Sequence, residues 1–124
     1  MWTLPPGEAA YPYHLHLGDE ELIVVLTGTP DLRTPEGWRT VAEGELLAFP
    51  AGEAGAHQLV NRTDAEVRFV AVSTSGTPDI VRYPDSGKAY AGERNPDGSG
   101  TAFFFMEADG AVEYLAGESP PSLD

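Results

Sequence analysis

The chain has 124 residues, of which 41% are hydrophobic, so it can bury one ordinary core but not two. Twenty acidic and seven basic residues give a formal net charge of -13, which opposes binding to nucleic acid phosphates and to anionic membrane surfaces. The absence of cysteine excludes a disulfide framework and a thiolate site. The longest apolar run, residues 22–26, is far shorter than the roughly 20 residues that span a bilayer. We therefore expect a cytoplasmic protein with a single domain, 1–124, and no nucleic-acid or membrane partner.

The composition predicts an all-β fold. Fourteen glycines and 11 prolines are spread along the chain, and the apolar segments are short and rich in Val, Phe and Tyr. Residues 1–10 form an N-terminal arm, residues 11–75 hold the central strands, and residues 76–124 hold C-terminal strands and a loop. In the arm, Trp2 and Leu4 need a surface to pack on, because a free arm would leave both side chains in water.

Short segments of strand composition follow one another at the spacing of an antiparallel barrel. Residues 32–34 and 38–41 are expected to pair as a hairpin around the turn Pro35-Glu36-Gly37. The other predicted strands are 11–17, 21–27, 45–49, 56–61, 67–73, 80–83, 102–106 and 112–115. Residues 92–100 are predicted to be a solvated loop, since they lack the lysine and the helix that follow a phosphate-binding glycine loop.

Two histidines stand one residue apart where the central strands begin. Because side chains alternate across an extended strand, His14 and His16 point to the same side. A turn at residues 17–19 leads to Glu21, which heads the next apolar run. A lone histidine in a strand is usually structural, but a pair followed by a carboxylate indicates part of a metal site.

The remaining histidine lies in a second stretch rich in glycine and proline. This residue, His57, falls within residues 44–61. All three histidines of the chain are therefore confined to two stretches. Histidines that were merely exposed surface residues would not be expected to cluster in this way.

These two stretches resemble the two motifs of the cupin family. The first motif is His-x-His, three or four residues, Glu, six residues and Gly, and it is matched by His14-Leu15-His16, Glu21 and Gly28. The second is Gly, five residues, Pro-x-Gly, two residues, His, three residues and Asn, and it is matched by Gly44, Pro50-Ala51-Gly52, His57 and Asn61. Two additional residues between Gly52 and His57 can be absorbed by a longer turn. The resemblance implies a cupin-type antiparallel β-barrel, also described as a jelly-roll or double-stranded β-helix.

The resemblance further implies that His14, His16, Glu21 and His57 hold one divalent transition metal ion. Three imidazoles and a carboxylate leave open positions on a five- or six-coordinate ion, and Fe, Mn, Ni, Zn and Cu all accept this donor set. The donor types therefore do not fix the metal. The absence of a thiolate argues against structural zinc of the finger type.

Basic and aromatic residues around the expected barrel mouth are candidates for binding a small-molecule ligand. Tyr83 and Lys88 flank a Pro-Asp-Ser-Gly turn that can close one mouth, and Arg33 is one of several arginines able to hold an anion. In so acidic a chain, the alternative is that these cations pair with neighbouring carboxylates. Asn61 follows its strand, a position that favours a role in a turn.

Three functions are compatible with the sequence. The first is a metal-dependent enzyme that acts on a small oxygenated substrate as a dioxygenase, isomerase or lyase. The second is a non-catalytic module that binds or senses a sugar or a small acid. The third, a storage or purely structural barrel, is weakened by the intact ligand set.

Apolar side chains on both faces of several segments predict that the outer wall of the barrel is covered. Residues 22–26, 69–72 and 103–106 lack the alternation of a wall that faces water. The C-terminal strands can cover part of this surface and a second subunit the rest, so we expect a homodimer.

Overall fold

The computed structural model describes residues 1–74, 78–114 and 116–117. Its strands are β1 (Trp2–Leu4), β2 (Leu15–His16), β3 (Glu21–Thr27), β4 (Asp31–Thr34), β5 (Gly37–Thr40), β6 (Leu46–Phe49), β7 (Gln58–Val60), β8 (Val67–Ser73), β9 (Asp79–Tyr83), β10 (Lys88–Gly92) and β11 (Ala102–Met106). A 3-10 turn (Glu53–Gly55) precedes β7, and a single helical turn, α1 (Glu107–Gly110), follows β11. Within the described ranges, no helix has the length and apolar character needed to cross a membrane.

The strands form three antiparallel sheets. The first sheet has the order β1-β8-β3-β6, the second β11-β10-β9-β2, and the third β5-β4-β7. Their pairing joins strands that are distant in sequence, such as β1 with β8 and β2 with β9. The all-β fold predicted from composition is confirmed.

The hydrophobic core lies between the first and third sheets. Its buried side chains are Leu4, Ile23, Val25, Leu32, Val41, Leu47, Phe49, Leu59, Val67 and Phe69. In β3 the side chains alternate, because Ile23 and Val25 are fully buried while Leu22 and Leu26 are 43% and 40% exposed. Burial of each large apolar side chain contributes about 1.5–3 kcal/mol.

The predicted hairpin is present as β4 and β5. Thr34 pairs with Gly37 at its closed end, and Gly37 has a φ of 116°, a conformation that favours glycine. The turn composition of Pro35-Glu36-Gly37 was therefore a correct signal.

The N-terminal arm contains a strand that the sequence did not predict. In β1, Trp2 pairs with Phe69 of β8 and Leu4 pairs with Val67. Leu4 is only 4% exposed, whereas Trp2 remains 55% exposed with its ring stacked 6.2 Å from that of Phe69. The surface on which the arm packs is thus the edge of β8.

The strands around the histidines are shorter than predicted. Of the segment 11–17, only Leu15–His16 is a strand, and of 56–61 only Gln58–Val60. His14 and His57 instead pair as an isolated antiparallel bridge. Pro12 has no N–H to donate, which limits the ladder on the N-terminal side of His14.

The C-terminal region differs most from the prediction. β10 was missed because its sequence, KAYAG, is rich in weak strand formers, and it is held by β9 on one side and β11 on the other. The predicted strand 112–115 is wrong over its described part, where residues 112–114 do not pair in a sheet and Val112 and Tyr114 are 79% and 95% exposed. Leu115 lies outside the described residues.

Candidate metal centre

The structure brings together the four residues predicted to be metal ligands. His16 lies on β2 in the second sheet, Glu21 begins β3 in the first, and His57 directly precedes β7 in the third. The bridge between His14 and His57 has two hydrogen bonds, in which each backbone N–H donates to the other residue's carbonyl oxygen, at 3.2 and 2.9 Å. The centre is therefore built where the three sheets meet.

The donor atoms converge on Glu21. One donor atom from each of His14, Glu21 and His57 lies within 4.8 Å of the other two. Oε2 of Glu21 is 3.4 Å from Nε2 of His57 and 3.4 Å from Nε2 of His16. The His14 ring centroid is 5.0 Å from that of His16 and 4.7 Å from that of His57. The expectation from strand parity, that His14 and His16 share one volume, agrees with this geometry.

Hydrogen bonds to the far side of each ring fix the tautomers of the three histidines. Nδ1 of His14 donates to the carbonyl oxygen of Pro12 at 2.9 Å, and Nδ1 of His57 donates to that of Gly55 at 2.8 Å. Nδ1 of His16 lies 2.8 Å from Oδ2 of Asp79. Because these oxygens accept, each Nδ1 carries a proton, and in the neutral rings each Nε2 presents a lone pair.

The Nε2 atom of His57 is buried without a hydrogen-bond partner among the described residues. Oε2 of Glu21, 3.4 Å away, does not provide one, because Nε2 carries a lone pair in this tautomer and a carboxylate oxygen can only accept. A buried polar atom left unsatisfied costs about 1–3 kcal/mol, and a cation would satisfy it. Three imidazole nitrogens and a carboxylate oxygen therefore fit a first-row divalent ion, although ligation itself stays a prediction.

The charges of the centre are unequally distributed. Burial alone would raise the pKa of Glu21, but the nearby His16 and His57 rings outweigh it and lower that pKa to about 2. Burial lowers the pKa of His14 to about 4. The Glu21 carboxylate, with a further contribution from Asp79, raises the pKa of His16 to about 9 despite partial burial. Without an ion, the centre holds a His16–Glu21 ion pair beside a neutral His14.

Asp79 orients His16, a contact for which the amino-acid sequence carries no signal. Asp79 begins β9, which pairs with β2, and its other carboxylate oxygen accepts the N–H of Gly18 at 3.2 Å. His16, Asp19 and Asp79 also bring donor atoms within 4.8 Å of one another. Since Asp79 already accepts from His16 and Gly18, we interpret it as the partner that fixes the ring of a ligand. Only the fold brings this residue next to His16, which precedes it by 63 positions.

The 3-10 turn accommodates the two additional residues of the second motif. The N–H of Gly52 donates to the carbonyl oxygen of His16 at 2.7 Å, which ties the start of the turn to the centre. A side chain at Gly55 would collide with the carbonyl oxygen of Pro50. The longer turn therefore delivers His57 to the centre, as the sequence predicted, and it requires glycine at position 55.

The three predicted substrate-binding residues have different surroundings. The Tyr83 ring lies 6.2 Å from the His14 ring, and the Lys88 ammonium lies 4.6 Å from the Tyr83 ring centroid. Arg33 instead forms hydrogen bonds of 2.6 and 3.0 Å to both carboxylate oxygens of Asp85, and stacks on Tyr13 at 4.0 Å. Tyr83 is thus beside the centre and Lys88 is beside Tyr83, while an anion at Arg33 would have to compete with Asp85.

Most of the arginines are ion-paired. Arg33, Arg39, Arg62 and Arg82 each contact a carboxylate. Lys88 is different, because within the described part of the chain its ammonium contacts the rings of Tyr83 and Phe104 and no carboxylate. Among the residues that the structure describes, it is therefore a cation without a carboxylate partner, and it lies next to Tyr83.

Asn61 supports the turn between β7 and β8. Its amide nitrogen donates to the carbonyl oxygens of Leu4 and Ala65 at 3.0 and 2.7 Å, and its carbonyl oxygen accepts from the N–H and hydroxyl of Thr63. The turn role predicted for Asn61 is confirmed.

The class of protein follows from this fold and from a comparison with known families. The model of the cupin domain matches residues 1–73, which is more than half of the chain. The chain therefore belongs to the cupin family, and the predicted family and cupin-type barrel fold are confirmed. No curated protein matches the chain.

Several solved structures are similar to this one. One is a sugar phosphate isomerase of the cupin superfamily from Silicibacter pomeroyi, with a TM-score of 0.76 and 28% identity over 90% of this chain and 68% of that chain. Another is a proposed sugar phosphate isomerase from Acidithiobacillus ferrooxidans, with a TM-score of 0.74 and 26% identity over 90% of this chain and 67% of that chain. A Thermus thermophilus protein aligns with 57% of this chain and 65% of its own, with a TM-score of 0.52 and 27% identity.

Proposed function

We propose that this cupin is a divalent-metal-dependent isomerase that acts on a sugar phosphate. The observation that carries the proposal is the similarity to the S. pomeroyi isomerase, which extends over 90% of the chain. Among the dioxygenase, isomerase and lyase reactions that the sequence left open, this similarity favours isomerisation. The alternative is that the same site binds a sugar or small acid without turnover.

The donor atoms of the centre are of the types that a metal-dependent isomerase needs to bind a divalent ion. His14, His16, Glu21 and His57 would hold the ion, which when bound polarises an oxygen of the sugar. Because the pKa of Glu21 is about 2, its carboxylate is an anion throughout the neutral range and suits a ligand better than a proton donor. The Phe49 ring stacks on His57 at 3.7 Å between centroids and helps to exclude water from that side.

Lys88 is the residue that we assign to the phosphate. The Tyr83 ring lies 4.6 Å from the Lys88 ammonium and 6.2 Å from the His14 ring, so one side chain links Lys88 to the metal centre, and we propose that an anion bound by Lys88 reaches that centre. In a chain with a net charge of -13, a cation without a carboxylate partner is a locally favourable place for a dianionic group.

The reaction can be tested with aldose and ketose phosphates in deuterium oxide. Isomerisation removes a proton from the carbon that bears the hydroxyl and adds one to the neighbouring carbonyl carbon, so proton NMR should show interconversion and deuterium in the product. We expect this with protein loaded with Mn, Fe, Ni or Zn, and not after chelation or with His57→Ala. Loaded protein that binds sugar phosphates without interconverting them would contradict the isomerase and favour the binding module.

The phosphate assignment has a matched test in Lys88→Met and Arg68→Met. Both remove one cation, but Arg68 pairs with Thr3 and Thr27 at the end of the sheet away from Glu21. Loss of a charge-assisted hydrogen bond of about 1.5–3 kcal/mol should raise KM for the sugar phosphate roughly tenfold or more in Lys88→Met. Arg68→Met should keep the KM of the unchanged protein. Equal increases in KM for the two substitutions would mean that the net charge of the protein, and not the position of Lys88, determines binding of the sugar phosphate.

A further inference from the structure

Tyr11 packs against the metal centre from the side of the core. Its ring meets the His14 ring edge to face at 4.8 Å and the His57 ring edge to face at 5.4 Å. It also packs against the core formed by the first and third sheets. These contacts hold the phenol in one orientation without using its hydroxyl group.

Among the described residues, the hydroxyl of Tyr11 has no hydrogen-bond partner. In the described part of the chain, two buried side-chain polar atoms share this condition, Oη of Tyr11 and Nε2 of His57. Both belong to the same centre. Buried polar groups in proteins are almost always hydrogen-bonded, so two exceptions side by side indicate a site that is completed by something further. A metal ion accounts for Nε2 of His57, but it does not account for a phenol proton, which needs an acceptor.

We take Glu21 as the acceptor, because its carboxylate lies 3.4 Å from His57, against whose ring the Tyr11 ring packs at 5.4 Å. Burial, with a smaller contribution from the Glu21 charge, raises the pKa of Tyr11 above its ordinary value, so the hydroxyl is a neutral donor in the field of this carboxylate. In the present structure, Oε2 of Glu21 is 3.4 Å from both His16 and His57. An ion bound to those two nitrogens would take them away from the carboxylate.

We propose that Tyr11 is a positioning residue of the metal centre, whose hydroxyl donates a hydrogen bond to the Glu21 carboxylate when the centre is loaded. The inference rests on the proposed metal binding. One hydrogen bond would then satisfy the buried phenol and orient the single anionic ligand. Partners of this kind typically contribute 10–100-fold to metal affinity.

The test compares Tyr11→Phe with Tyr13→Phe. Tyr13 is a buried tyrosine of the same segment, but its ring lies under the Arg33 guanidinium and in a separate cluster with Leu15 and Ala56. Affinity for Zn or Co is measured by competition with a chromophoric chelator, and the melting temperature is measured without metal. We expect about tenfold weaker metal binding in Tyr11→Phe. Its metal-free melting temperature should be unchanged or higher, because an unsatisfied hydroxyl has been removed. Tyr13→Phe should keep the affinity within about twofold of the unchanged protein.

The same substitution, Tyr11→Phe, made in protein that already carries Glu21→Gln identifies the acceptor. In Glu21→Gln, the neutral amide accepts a hydrogen bond roughly half as strong as the carboxylate does, so Tyr11→Phe should weaken metal binding less there than in the unchanged protein. An equal loss in both backgrounds, or unchanged affinity in Tyr11→Phe, overturns the role of Tyr11. Failure of the unchanged protein to bind metal overturns the metal site as well, which separates the two proposals.

Discussion

The protonation of His16 couples the metal centre to pH. Its pKa of about 9 means that, without metal, the ring is protonated at neutral pH and paired with Glu21. A metal ligand must be neutral, so binding has to displace this proton. His14, whose pKa is about 4, is already neutral and contributes no proton at pH 7.

We therefore expect metal binding at pH 7.5 to release about one proton, which calorimetry in buffers of different ionisation enthalpy can measure. Apparent affinity should rise about tenfold per pH unit and level off above the His16 pKa of about 9. The free energy of unfolding of the metal-free protein should instead fall as pH rises. A raised histidine pKa stabilises the fold below the unfolded value of 6.5, and this contribution is lost as pH rises through about 9.

Asp79→Asn provides the control for this prediction. The amide removes one of the charges that raise the pKa of His16, so the rise in affinity should end at a lower pH. Metal binding without proton release at pH 7.5 would contradict the assignment of His16 as a ligand.

At the level of single residues, the sequence predicted the candidate ligand set. It did not predict the residues that contact those ligands and fix their orientation. The candidate ligands are recognisable because two histidines stand one residue apart in a predicted strand and the third lies within a motif of its own. Asp79 and Tyr11 were missed for different reasons. The first reaches His16 only through the pairing of β9 with β2, and the second carries no sequence signal beyond strand composition.

The 3-10 turn is the element that delivers His57, and Gly55 is the residue on which it depends. A Cβ at this position would overlap the carbonyl oxygen of Pro50, and the carbonyl oxygen of Gly55 itself accepts from Nδ1 of His57. Overpacking of this kind typically costs about 1–3 kcal/mol.

Gly55→Ala should therefore lower the free energy of unfolding by about that amount and weaken metal binding, because the turn must shift and His57 moves with it. Ala54→Ser alters the neighbouring exposed position of the same turn and should change neither quantity. Denaturant unfolding and chelator competition measure the two effects. If Gly55→Ala binds metal as tightly as the unchanged protein, the turn does not set the position of His57.

The elements that the sequence predicted correctly are those with local signals. β3 and β8 have strong apolar composition, and the β4–β5 hairpin has a turn sequence at its end. β1 and β10 were missed because they form strands only through pairing with neighbouring strands. β1 pairs with β8, and β10 pairs with β9 and β11. The predicted strand 112–115 shows the converse, since apolar residues without a neighbouring strand do not pair.

The outer face of the first sheet bears on the assembly of the whole molecule. Leu22 pairs with Val72, and these side chains are 43% and 58% exposed, with Leu46 of the neighbouring β6 61% exposed. The C-terminal strands β9, β10 and β11 form the second sheet with β2 and leave these side chains exposed. The homodimer predicted from the sequence stays a prediction, and this face is the surface that we propose for it.

Light scattering should find a dimer at micromolar concentration and a monomer for the double substitution Leu22→Glu and Val72→Glu, since a carboxylate in the interface is costly to desolvate. Ile80→Glu places the same charge on a 43% exposed residue of the second sheet and should leave the dimer intact. A monomeric unchanged protein would contradict the dimer, and dissociation by Ile80→Glu alone would place the interface on the second sheet.

The convergence of three sheets on one centre has a consequence for how the molecule acquires its site. His16 lies on β2 of the second sheet, Glu21 begins β3 of the first, and His57 directly precedes β7 of the third, so the proposed ligand set is complete only when the three sheets are assembled. We therefore expect that separation of one sheet from the other two would leave the hydrogen bonds within each sheet in place and would abolish the proposed metal site. An ion bound at the centre would therefore cross-link the three sheets. Affinity for the ion then belongs to the fully assembled barrel rather than to any of its parts.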